Sequence, residues 1–168
     1  SQVAPASSPA ALPITCTFTN EEKVPKLRIQ KDLESVEGAT TDDITVTYRI
    51  SATNDGSLKG TTGRLTDTPD FAPGLNVRSA AVATTLEGLA SAAAQPAAAS
   101  YVLTEGTDLE PGQSATWYIR MRVSRDKTTA GYSEVALECA TQNNRLTPKN
   151  GLYNRVSGDY DHDGESNN

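Results

Sequence analysis

Lys31, Asp67 and Asn154 are polar residues set in otherwise apolar strand faces, and the three together can make a covalent bond. In LRIQKDL, Leu27, Ile29, Lys31 and Leu33 share a face; in GLYNRV, Leu152, Asn154 and Val156 do; in RLTDT, Leu65 and Asp67 do. Side chains alternate across a strand, so all three polar groups are predicted to point inward. Burial lowers the pKa of a lysine and raises that of an acid. The amine then becomes a neutral nucleophile, and the protonated acid can polarise the asparagine carboxamide. A fold that holds them in contact supplies the effective molarity. Lys31 and Asn154 can then join in an isopeptide bond with release of ammonia. Asp32 and Glu34 also lie near Lys31 in sequence and are alternative acids. The plainer alternative is that Lys31 snorkels from a sheet edge, Asn154 bonds backbone and Asp67 caps a turn before Pro69.

The elements that would position these residues are short strands. ITVTYRISATN puts Ile44, Val46, Tyr48, Ile50 and Ala52 on one side and Thr45, Thr47, Arg49 and Ser51 on the other. SATWYIRMRV does the same with Trp117, Ile119, Met121 and Val123, so Trp117 reads as core rather than as a sugar-binding surface. Further strands are expected at 14–19, 26–33, 63–68, 75–82, 135–140 and 152–157, with an NDG turn at 54–56 and polar loops at 34–42 and 141–150. The stretch 84–100 is alanine-rich and lacks strand alternation; it reads as a long loop with room for a short helix. Short strands between turns, with almost no helical periodicity, predict an all-β protein: an antiparallel immunoglobulin-like β-sandwich with a long alanine-rich loop, a barrel being second. Residues 1–13 read as a flexible leader or linker, 14–158 as the β-sandwich module and 159–168 as an acidic tail or linker.

The chain has 168 residues, a formal net charge of -6 and 36% hydrophobic residues. The acidic balance and the lack of a basic cluster argue against nucleic-acid binding. No apolar run approaches the roughly 20 residues that span a bilayer, so membrane insertion is not expected. The first residues do not make a signal peptide, and ESNN ends without a strand, which suggests a mature or excised chain.

Cys16 and Cys139 each sit on an apolar strand face. They can pair with each other in an oxidising compartment, remain as core thiols, or pair outside this stretch. In GDYDHDGESNN, Asp159, Asp161 and Asp163 with Gly164 match the first positions of a calcium loop, and Glu165 follows. Calcium is therefore a candidate ligand, set against a solvated acidic linker; no other cofactor is implied. His162, the only histidine, lies in the same tail, so a core catalytic triad is not expected. No constellation for an enzyme is present beyond the self-reaction.

In order along the chain, TVTYRISATNDG, RLTDTPDFAPGL, EPGQSATWYIRMRV and PKNGLYNRV resemble the repeated β-sandwich modules of Gram-positive cell-surface proteins, of pilin and adhesin-stalk type. ITCTFTN followed by KLRIQKDL resembles a junction between two such modules. The resemblance covers most of 14–158 and departs in the alanine-rich insertion and the acidic end. It implies that Lys31 in the first strand and Asn154 in the last are joined with help from a buried acid, Asp67 matching the aspartate of the TDT segment. The expected function is a structural stalk module of an extracellular, cell-wall-associated surface protein, with neighbouring modules as partners. The alternative is an adhesin domain that binds a host protein or glycan.

Overall fold

The computed structural model describes residues 22–133 and 151–161, together with Val3. The strands expected at 14–19 and 135–140, and the leader at 1–13 apart from Val3, lie outside the described residues. Ten strands and one helical turn follow in order: β1 (Leu27–Glu37), β2 (Asp43–Asn54), β3 (Gly60–Thr61), β4 (Leu65–Pro69), β5 (Leu75–Ala83), α1 (Leu86–Leu89), β6 (Gln95–Pro96), β7 (Tyr101–Thr104), β8 (Asp108–Leu109), β9 (Ser114–Arg125) and β10 (Asn154–Gly158). They form an antiparallel β-sandwich. One sheet has the order β1-β2-β9-β5-β6 and the other β10-β4-β7, with a small β3-β8 ribbon beside them.

The core sits between the two sheets and follows from the alternation in β2 and β9. Ile44, Val46, Tyr48, Ile50 and Ala52 are all buried, and so are Trp117, Ile119, Met121 and Val123. The opposite sheet contributes Leu65, Tyr101, Leu103 and Val156 to the same cluster. Burying a side chain of this size contributes roughly 1.5–3 kcal/mol, and β2 pairs with β9 over its whole length, from Asp43–Ser124 to Thr53–Ser114.

Three differences from the sequence reading have physical causes. Leu33 shares the face of Leu27, Ile29 and Lys31 but is 39% exposed. Among the described residues its strand lies at the edge of its sheet, and burial declines along it from Leu27 (2%) and Ile29 (4%). Lys31 therefore stands at the margin of the core rather than at its centre. The strand also runs on to Glu37, through a bulge between Leu33 and Ser35, into what reads as loop. Lastly, beside the short helix for which it has room (α1, capped by the Thr85 hydroxyl on the Gly88 amide), the alanine-rich stretch holds the short β6 that adds an edge to β5.

Asn54 reads as a turn residue and is in fact fully buried. Its Oδ1 accepts from the Lys26 and Gly56 amides, and its Nδ2 donates to the Leu58 and Leu109 carbonyls. All four hydrogen-bonding positions of the carboxamide are used, tying the ends of β1, β2 and β8 together. At the far end of the chain, the Asp161 carbonyl accepts from the Leu27 amide and its own amide donates to Thr61. The chain thus stays hydrogen-bonded to the sandwich past Gly158.

Candidate functional site: a lysine, an aspartate and an asparagine between the sheets

Asp67 lies on β4, the central strand of its sheet, flanked by Val156 of β10 and Tyr101 of β7. The strand is set by the turn before it. Gly63 has φ +54, and a Cβ there would meet the Asp159 carbonyl oxygen at 2.6 Å, so the position requires glycine. Since Val156 pairs with Asp67, Asn154 two residues earlier is its diagonal neighbour on the same face. Lys31 comes from the other sheet, where it pairs with Ile50 of β2.

Lys31 Nζ donates to Asp67 Oδ2 at 2.6 Å, with side-chain exposures of 11% and 0%. The ring of Tyr48, diagonal to Lys31 on the adjacent strand, lies under the ammonium with its centroid 4.5 Å from Nζ. The Tyr48 hydroxyl donates to the Leu152 carbonyl at 2.8 Å, two residues before Asn154. Asn154 Nδ2 and Oδ1, and the second carboxylate oxygen of Asp67, are buried without a well-formed hydrogen bond. Buried polar groups are nearly always satisfied, and leaving one unmade costs about 1–3 kcal/mol.

The alternative acids go elsewhere. Asp32 accepts from Arg49 at 3.0 Å at an exposed site, and Glu34 is exposed. Asp67 is thus the carboxylate on Lys31.

Burial lowers the Lys31 pKa from its usual 10.5 to about 8, although the Asp67 charge and hydrogen bond oppose the shift. Burial also pushes the Asp67 carboxyl up, more than the Lys31 charge and the nearby Lys31 and Asn154 side chains draw it down. Both shifts move the pair toward a neutral amine and a protonated acid, and two such close groups titrate as a unit.

The shifts predict a pH signature in any form of the protein that keeps the free amine. In Asn154→Ala, the unfolded lysine would bind a proton up to 10.5 while the folded one releases it near 8. Stability attributable to Lys31 is therefore lowest below about pH 8 and rises with pH toward 10.5. Chemical denaturation across that window should show this rise. In a linked wild type, whose Lys31 no longer titrates, the rise should be absent.

Of the other sequence candidates, Asp161 Oδ2 accepts from the Thr61 amide at 2.9 Å, and Asp159 is exposed. Asp163, Glu165, His162, Cys16 and Cys139 lie outside the described residues. Among the described residues, no group of three acidic, cysteine or histidine side chains could hold a metal, and no helix is long and apolar enough to cross a membrane. An open groove of about 490 Å³ lies on the outer face of the larger sheet, between Arg49, Ser51 and Tyr118 and the Thr84–Glu87 segment. It contains none of the triad.

Tyr48 was legible only as a core residue, because its place in β2 gives its face but not which strand its hydroxyl reaches. Asn54 was hidden by its turn signal.

No protein-family model matches the chain, and no curated protein matches it. Among solved structures, the chain is similar to the CBM3a-L domain with flanking linkers from scaffoldin cipA of the Clostridium thermocellum cellulosome. The two share 15% identity with a TM-score of 0.31, over 73% of this chain and 82% of that one. A likeness this distant carries no argument about what this chain does.

Proposed function

We propose that this protein is an immunoglobulin-like structural module of a bacterial surface protein, of pilin or adhesin-stalk type, closed by an intramolecular bond between Lys31 and Asn154. The observation that carries the reading is the Asn154 carboxamide, buried without a well-formed hydrogen bond beside a close Lys31–Asp67 pair. As a set of side chains that only stabilises the fold it is expensive, since a buried ion pair often stabilises less than apolar residues would. As a set of reactants it is complete.

The chemistry balances without a cofactor. Lys31 passes one proton to Asp67, and the neutral Nζ attacks the Asn154 side-chain carbonyl carbon. Asp67 delivers its proton to Nδ2, the Cγ–Nδ2 bond breaks, and ammonia leaves. One of the two protons left on Nζ then passes to Asp67, the other stays as the amide N–H, and a secondary amide joins β1 to β10. Low dielectric and fixed geometry supply the acceleration.

The resemblance to Gram-positive surface modules supports the stalk role, and so does the placement of the two residues. They lie in the first and last strands described, so force applied at the chain ends would pass through the link and bypass the sandwich. Single-molecule pulling tests this. The wild type should extend only by residues outside the Lys31–Asn154 loop, whereas Lys31→Met should release the whole sandwich. Equal extension of the two would remove the mechanical reading.

A further inference from the structure

We propose that Tyr48 is the positioning residue of this reaction, bracing the strand that carries Asn154 against the strand that carries Lys31. The proposal rests on the linkage proposed above. Besides Asp67, Tyr48 touches both halves of the site. Its ring lies 4.5 Å from Lys31 Nζ, and its hydroxyl donates to Leu152 at 2.8 Å.

The brace answers a weakness in the topology. Among the described residues, β10, five residues long, pairs with β4 alone, at the edge of the smaller sheet. A short edge strand with one partner frays and slips readily. A one-residue slip would turn Asn154 away from the core, and a smaller shift would take its carbonyl carbon out of reach of Nζ. The Tyr48 hydroxyl fixes the backbone two residues from the reacting carboxamide. Tyr48 itself cannot shift easily, because its strand is paired on both sides, with β1 and β9. The same ring lies against the Lys31 amine, whose hydrogen-bond acceptor is Asp67. One side chain thus sets the distance between nucleophile and electrophile from a rigid strand, and reactivity is steeply sensitive to that distance.

Tyr48→Phe separates the brace from the ring. The full chain is made by cell-free synthesis, and loss of ammonia is followed by intact mass over time at a series of pH values. Tyr48→Phe should link roughly ten- to a hundredfold more slowly than wild type, with the pH midpoint of the rate unmoved, because the Lys31–Asp67 pair and the ring remain. Tyr48→Phe/Asn154→Ala, compared with Asn154→Ala alone, shows whether the unlinked fold persists. A folded double variant with a slow single variant supports positioning. Linking at the wild-type rate overturns the proposal. So does a rate that falls only as far as the folded fraction falls, or with a displaced midpoint, which marks a general loosening of the core. A wild type that never loses ammonia instead removes the linkage itself, and Tyr48's role with it.

Discussion

Asn154→Ala is expected to unfold roughly 10–20 °C below the wild type, although it deletes only one carboxamide, on the half-buried first residue of the last described strand. The size of the effect comes from the unfolded state. A bond from Lys31 to Asn154 closes a loop of about 120 residues, and a link of that span stabilises by about 4–5 kcal/mol in chain-entropy terms. For a domain of this size each kcal/mol moves the melting temperature by about 2–4 °C. Without the link, the substitution would remove two buried polar atoms that lack a well-formed hydrogen bond and should be close to neutral or stabilising. The two accounts thus predict opposite signs for one melting curve. Lys31→Met should lose the same link, and the double variant should be no worse than the worse single one, because either change removes the whole bond.

Asp67→Ala should be the most damaging of the three single changes. It stops the reaction and also strands the Lys31 amine, whose hydrogen bond and charge partner is Asp67. Removing one member of a buried pair costs about 3–5 kcal/mol beyond the lost link. With the raising influence of Asp67 gone, the Lys31 pKa should fall below 8, so the Lys31 contribution to stability should be lowest on the acid side of that lowered pKa and recover as pH rises toward 10.5. Lys31→Met/Asp67→Leu should recover most of that added loss while still lacking the link. Denaturation of the four proteins at two pH values measures the ordering. A double variant as unstable as Asp67→Ala would show that Asp67 supports the fold through something other than Lys31.

Much of this arrangement was legible in the sequence because a strand's period of two leaves little freedom. Once Val156 and Leu65 are assigned to the core, Asn154 and Asp67 must face it. Ile29 does the same for Lys31. What alternation cannot supply is which sheet faces which, so Asp32 and Glu34 remained open until Lys31 was seen to reach across to β4. Leu33 shows the limit from the other side: the face was right, but the opposing sheet does not cover that end of the edge strand. β7 was missed because YVLT is four residues beside an alanine-rich run, too short for periodicity to register. The Tyr48 brace depends on a hydroxyl meeting a carbonyl 104 positions away, a contact that no local pattern encodes.

Intact mass of the wild-type protein under denaturing conditions, beside Asn154→Ala and Lys31→Met, bears most directly on the linkage. The account predicts a wild type lighter than its sequence by one ammonia, both variants at full mass, and a fragment in which Lys31 and Asn154 peptides remain joined after digestion. A folded wild type at its full sequence mass would contradict it.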